Sequence, residues 1–200
     1  MAKRRYDPNT PIYQLKVVLL NIEPAIWRRL QVRENITLYG LHDYIQGVML
    51  GWADCHMHEF EIGGKRYGVP LSEYADVPEM RLKDERQHKL CQLIKHGDTF
   101  LYRYDLGDNW EHEIVVEKQL PPNPTIKYPV CLEGQRCCPP EDVGGPWGYE
   151  EFLEAIADPK HEEHKSYIEW VGGSFDPEVF DLKRINEVLE NIRTNTHRQG

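Results

Sequence analysis

Apolar and polar positions along the chain change period three times, and the changes outline the elements. Residues 12–20 (Ile-Tyr-Gln-Leu-Lys-Val-Val-Leu-Leu) are rich in β-formers and predict a strand. Asn21 to Pro24 predicts a turn. Over 25–33 the pattern alternates: Ile26, Arg28, Leu30 and Val32 share one face, Trp27, Arg29, Gln31 and Arg33 the other. Leu38, Leu41, Ile45, Val48 and Trp52 then recur at helical spacing, predicting a helix over 38–51 with Thr37 as N-cap and Gly51 as its left-handed cap. Gly63-Gly64 between short alternating runs predicts a hairpin over 56–69, and the polar stretch 70–88 reads as a surface loop. A second hairpin joins 98–105 to 109–118 through Leu106-Gly107-Asp108 and ends at Pro121, Pro122 and Pro124. Residues 129–146, dense in Pro, Gly and Cys, read as an irregular loop.

From Trp147 the period is 3.6. One helix carries Tyr149, Phe152, Leu153 and Ile156; a second runs from Asp158-Pro159 to Gly172-Gly173; a third opens at Asp176-Pro177 and shows Leu182, Ile185, Leu189 and Ile192 on one face. Strands first and helices last predict an α+β fold. The expectation is an antiparallel sheet of about five to seven strands, one early helix, and a C-terminal cluster of about three helices on one face. Residues 1–11 read as a loose basic tail and 12–200 as one domain.

Composition narrows the function. Twenty-four basic against thirty-three acidic residues leave a net charge of −9, a poor balance for gripping a phosphate backbone, so nucleic acid is an unlikely partner. No apolar run exceeds four residues, too short for a membrane-spanning helix, and no secretory leader is evident. Five cysteines, an odd number, favour reduced thiols and a cytoplasmic location.

The candidate chemistry is concentrated in histidines and one loop. Alternation puts His56, His58, Phe60 and Ile62 on one strand face and Trp110, His112, Ile114 and Val116 on another. Imidazoles on alternate strand residues can meet one ion, so His56, His58 and His112 with Cys138 are metal-ligand candidates, for a divalent metal such as zinc. His58 and His112 are expected to face each other, with Asp105, Cys138 and Glu141 or Asp142 within reach. The turn Asp105-Leu106-Gly107-Asp108-Asn109 offers two carboxylates beside His112, although a tight turn favours those residue types anyway. In Cys137-Cys138-Pro139-Pro140-Glu141-Asp142 a stiff backbone precedes two acids, as in many functional loops. His161-Glu-Glu-His164 reads as a solvated helix face, and neither Cys-x-x-Cys nor a Gly-rich phosphate loop occurs.

Four ordered motifs carry a resemblance. They are Pro24-Ala-Ile-Trp27-Arg28-Arg29; Leu41-His42-x-x-Ile45-Gln46 running into Gly51-Trp52-x-x-x-His56-x-His58-x-Phe60; Tyr102-x-Tyr104-Asp105-x-Gly107-Asp108-x-Trp110-x-His112-x-Ile114; and Cys131-x-x-Gly134-x-Arg136-x-Cys138-Pro139-Pro140-Glu141-Asp142-x-Gly144-Gly145-x-x-Gly148-Tyr149. Over residues 12 to about 192 the chain resembles the bacterial and archaeal family named after the third open reading frame of the pRiA plasmid. The resemblance implies a single α+β domain found on plasmids, insertion elements and chromosomes, some members being labelled transposon resolvases. Cys137 departs from the pattern, where a small residue such as alanine is expected. The label itself does not suit the residues. No serine precedes Ser72, and no histidine has arginine at the third following position, as a recombinase site would require.

The favoured function is a binding or accessory module for a protein or small-molecule ligand, through a site lined by Trp27, Arg28, Arg29, Tyr104 and Trp110. His42, Gln46, Asp105, Asp108, Arg136, Glu141 and Asp142 complete the set of ligand-binding candidates. The alternative is a metal-dependent hydrolase built on His56, His58, His112 and the Pro-Pro-Glu-Asp loop. A nucleic-acid-binding accessory of a mobile element ranks third.

Overall fold

The computed structural model describes residues 7–71 and 81–196. Its strands are β1 (Ile12–Leu19), β2 (Ile26–Arg33), β3 (His58–Ile62), β4 (Lys65–Gly68), β5 (Lys83–Asp84), β6 (Thr99–Tyr104), β7 (Trp110–Leu120) and β8 (Val130–Gln135). They form one sheet in the order β5-β4-β3-β6-β7-β1-β2-β8. Helix α1 (Leu38–Met49) follows β2, while α2 (Gly145–Ala157), α3 (His164–Trp170) and α4 (Leu182–Thr196) follow β8. The α+β class is as expected, but the sheet has eight strands and is mixed, because β4 and β5 pair in parallel.

The additional strands come from stretches that read as loops. β8 (Val-Cys-Leu-Glu-Gly-Gln) has no apolar alternation and owes its conformation to backbone pairing with the edge of β2. β5 and the 3-10 turn Glu85–Gln87 fall within the expected surface loop 70–88, yet Glu85 is fully buried. The remainder of that loop, 72–80, lies outside the described residues, as do residues 1–6 of the expected tail. Of the expected tail, Thr10 and Pro11 lie against the sheet, Thr10 being buried and Glu34 N donating to Pro11 O at 2.9 Å, while residues 7–9 are exposed.

Alternation sorts the two faces. Inward residues of β1, β2, β6 and β7 (Leu15, Val17, Leu30, Tyr102, Ile114) share one core with Leu41, Ile45, Phe152, Ile185 and Leu189 of the helices. Outward residues build ion pairs across the strands: Arg103 reaches Glu59, Glu61 and Glu111, and Arg29 reaches Glu117 and Glu133.

Thr37 caps α1, its Oγ1 accepting from Gly40 N at 3.2 Å. The left-handed residue at the other end is Leu50 (φ 53°), one position before the expected Gly51. Asp158 opens a turn rather than a helix, so α3 starts at His164 and His161 is outside it. Likewise Asp176 opens a turn, and α4 starts after Asp181, whose Oδ1 accepts from Arg184 N at 2.9 Å. At Gly47 a Cβ would come within 2.7 Å of Ile192, so glycine there lets α1 and α4 approach closely.

Candidate functional site

Three irregular segments meet at one end of the sheet: 51–57 between α1 and β3, the turn 105–109 between β6 and β7, and the loop 137–145 before α2. They interlock through the backbone. Asp108 Oδ2 accepts from Gly144 N at 3.1 Å, and Glu141 accepts from Ala53 N. Gly145 (φ 72°) lies so close to the turn that a Cβ would sit 2.5 Å from Asp108 O, which explains glycine at that position. Asp54, Asp105, Asn109 and Asp142 all hold φ between 53° and 57°, a region costly for L-residues but tolerated best by Asp and Asn.

His56 stands in the middle of this cleft. It precedes β3, so strand alternation does not apply to it, and its side chain is half-buried in the cleft rather than in the core. Its Nε2 lies 2.9 Å from Asp142 Oδ1, 3.6 Å from Asp105 Oδ2 and 3.6 Å from Glu141 Oε1. Asp105 is buried and held from behind, its Oδ1 accepting from Gly107 N and Asp108 N at 2.9 and 3.3 Å. Glu141 is held by the Tyr104 hydroxyl, which donates at 3.2 Å and itself accepts from Cys55 N. One imidazole and three oriented carboxylates therefore converge on one point.

Behind the cleft lies a second polar group. The α1 residues His42 and Gln46 sit one turn apart and both reach the Tyr102 hydroxyl, at 2.8 and 2.9 Å. Asp54 Oδ1, 2.9 Å from His42 Nε2, only accepts, so a neutral His42 carries its proton on Nε2 and its Nδ1 accepts from the Tyr102 hydroxyl, which itself accepts from Gln46 Nε2. Burial lowers the His42 pKa, consistent with a neutral ring, and the hydrogen bond to His42 lowers that of Asp54. His58 stacks on His42, ring centroids 3.4 Å apart, and its Nε2 meets Glu85 Oε2 at 2.8 Å.

The expected meeting of His58 and His112 is found only in part. Both rings pack against Tyr102, with centroids 6.0 and 5.3 Å from it, because their strands flank β6. Their nitrogens, however, go elsewhere: His58 to Glu85, and His112 Nδ1 to Trp110 O at 3.1 Å. Burial depresses the His112 pKa to about 4, and its Nε2 has no partner among the described residues. Three groups of described residues bring three potential ligand atoms within 4.8 Å of one another: Cys55, His56 and Glu141; His42, Asp43 and Asp54; His56, Asp105 and Asp142. Of the four metal-ligand candidates only His56 belongs to such a group. His58, His112 and Cys138 do not: His58 Nε2 is taken by Glu85 alone, His112 is enclosed by aromatic rings, and Cys138 is buried in the loop.

The aromatic and arginine candidates also separate. Trp27 and Arg29 stand on the ion-paired outer face, whereas Arg28, Tyr104 and Trp110 are buried on the inner one, so the five do not form one surface. Arg136 is buried and committed to Glu178 (2.8 Å) and Pro24 O (2.7 Å). Asp54, Cys55 and Glu85 carry no signal beyond a polar context, and the first two reach the site only through the path of segment 51–57.

These features define a sheet protein whose candidate site is built from loops at one end of its strands. A model of the plasmid pRiA4b ORF-3-like proteins matches residues 11–184, and the chain belongs to that family. It is 38% identical to the uncharacterized protein y4hQ of Sinorhizobium fredii over 192 residues, 94% of this chain and 96% of that one. It also resembles the crystal structure of MM3350, a protein of unknown function from Methanosarcina mazei Go1, with a TM-score of 0.78 and 42% identity over 86% of this chain and 96% of that one.

Proposed function

We propose that the protein is a binding module that recognises its ligand through a divalent cation held by His56, Asp105 and Asp142, with Glu141 beside them. The observation that carries this is the convergence of three carboxylates within 3.6 Å of one imidazole nitrogen, in a cleft open to solvent. One nitrogen and several oxygen donors suit zinc or manganese, and three protein ligands leave a coordination position for a ligand atom. Mixed donors of this kind are also those of metal-assisted hydrolysis. Glu141, anchored at both oxygens beside the cluster, supports that second reading.

The test is calorimetric titration with zinc and manganese of protein purified without a histidine tag. One ion per chain is expected, with binding lost in His56→Ala and weakened at least tenfold in Asp142→Asn. Stoichiometric binding that survives His56→Ala would remove the proposal. The net charge of −9 supports weak nucleic-acid affinity, and all five cysteines being free supports a reducing cytoplasm. Among the described residues no helix is long and apolar enough to cross a membrane.

A further inference from the structure

A second cavity, of about 660 Å³, lies on the other side of the Pro139–Glu141 loop, between that loop, the end of α1, and the segment leading into α4. Its distinctive wall is Arg28. Alternation in β2 turns this side chain inward beside Ile26 and Leu30, and only 1% of the residue is exposed. Nε donates to Val48 O at 2.9 Å, and Nη1 to Trp27 O and Gln135 O at 2.8 Å each. Among the described residues nothing accepts a hydrogen bond from Nη2, and no carboxylate lies within 4.0 Å of the guanidinium. Arg136, buried to a similar degree, has its carboxylate in Glu178 at 2.8 Å. A buried cation without a counterion is costly, and the Phe180 ring, 5.1 Å from Arg28 Cζ, offsets only part of that cost.

The rest of the lining is mainly apolar: Met49, Phe175, Phe180, Val179 and Ile185, with Trp170 alongside. Its acids are otherwise engaged. Asp176 and Asp181 are exposed and accept from the backbone N–H groups of Glu178 and Arg184, and Glu141 is bound by Tyr104 and Ala53. We propose that this cavity binds a small organic monocarboxylate, its head accepting from Arg28 Nη2 and its apolar body lying among Phe175, Phe180 and Val179. The volume is within the range of small-molecule sites. A single charge fits better than a phosphate dianion, because three carboxylates outnumber the two guanidiniums of the lining, buried Arg28 and exposed Arg184. The site is separate from the cation cleft, with which it shares the Glu141 loop and the start of segment 51–57 at Gly51.

The test is calorimetric titration of the full chain with octanoate and with octan-1-ol, in EDTA so that any cation site is empty. Octanoate is expected to bind one per chain and about tenfold or more tighter than the alcohol, since a hydrogen bond between a guanidinium and a carboxylate is stronger than one to a neutral hydroxyl. Arg28→Gln, checked for folding by circular dichroism, should erase that preference. Because Arg28 also holds three carbonyls, Val179→Trp serves as the second variant: Val179 is half exposed, and the larger ring fills the cavity, so octanoate binding should weaken at least tenfold in a folded protein. The proposal is overturned if octan-1-ol binds as well as octanoate, if Val179→Trp leaves octanoate binding unchanged, or if no octanoate binds at millimolar concentration. His56→Ala should leave the octanoate result intact, which separates this outcome from failure of the cation proposal.

Discussion

Arg28 and Arg29 are neighbours in sequence and opposites in environment. Arg29, on the outer face of the sheet, is gripped by Glu117 at 2.6 and 2.8 Å and by Glu133, and these hydrogen bonds raise its pKa. Arg28, on the inner face, is held by backbone carbonyls, lacks a carboxylate partner among the described residues, and has its pKa lowered by burial. On the outer face Arg29 and Arg103 both have carboxylate partners, so these charges account for themselves as sheet-stabilising pairs. Unbalanced groups collect on the inner side and at the loop end: the Arg28 guanidinium, the carboxylates around His56, and the unpartnered His112 Nε2. Charge satisfied within the fold explains architecture, whereas charge left over points to a ligand.

The largest expected effect breaks the inner side of this comparison. Arg28→Ala leaves the carbonyls of Val48, Trp27 and Gln135 without their donor and opens a void, so a loss of roughly 3–5 kcal/mol is expected, measured by urea unfolding. Arg29→Ala, measured in the same way, should cost at most about 1 kcal/mol, since its ion pairs are partly exposed. Equal losses at the two positions would dissolve the contrast.

Acid should come next. The unfolded chain protonates His112 near its ordinary pKa of 6.5, while the folded chain resists protonation until about 4. Stability should therefore fall as pH drops through that window, by up to about 3 kcal/mol from this group. His42, whose pKa is also lowered, acts in the same direction. Asp43, raised by burial to about 6, acts in the opposite one, because its buried carboxylate is relieved on protonation. His112→Gln should flatten the acid limb of the unfolding profile; an unchanged limb would assign it to other groups.

Zinc at about one hundred times its dissociation constant should stabilise the chain by about 2.7 kcal/mol, and the increment should vanish in His56→Ala. The smallest effect sharpens the comparison from the other side. Without metal, His56→Ala should change stability by less than about 0.5 kcal/mol, because the ring packs into a cleft rather than the core.

Much of the fold follows from local pattern. β-Former content placed β1, hairpin patterns placed β6 and β7, alternation placed β2 and told which of its side chains share a face, and period 3.6 placed α1 and α2 to within a few residues and the apolar face of α4. Capping chemistry at Thr37 acts over three residues, so it too could be read directly. β8 and β5 could not, because their conformation depends on a partner strand distant in sequence rather than on their own composition. The starts of α3 and α4 were misplaced since Asp-Pro serves a turn as well as a helix start.

For the site, sequence by itself determined the ingredients: His56, Asp105, Glu141 and Asp142 are residue types suited to a cation wherever they lie. Tertiary structure alone decided that these four meet while His58, His112 and Cys138 do not. His56 precedes its strand and escapes alternation, and the path of the loops after α1, β6 and β8 brings residues some fifty and ninety positions apart to one point. It decided equally that Arg28 has no acid beside it, since a buried charge is defined by what packs around it, and packing is not a local property of the chain.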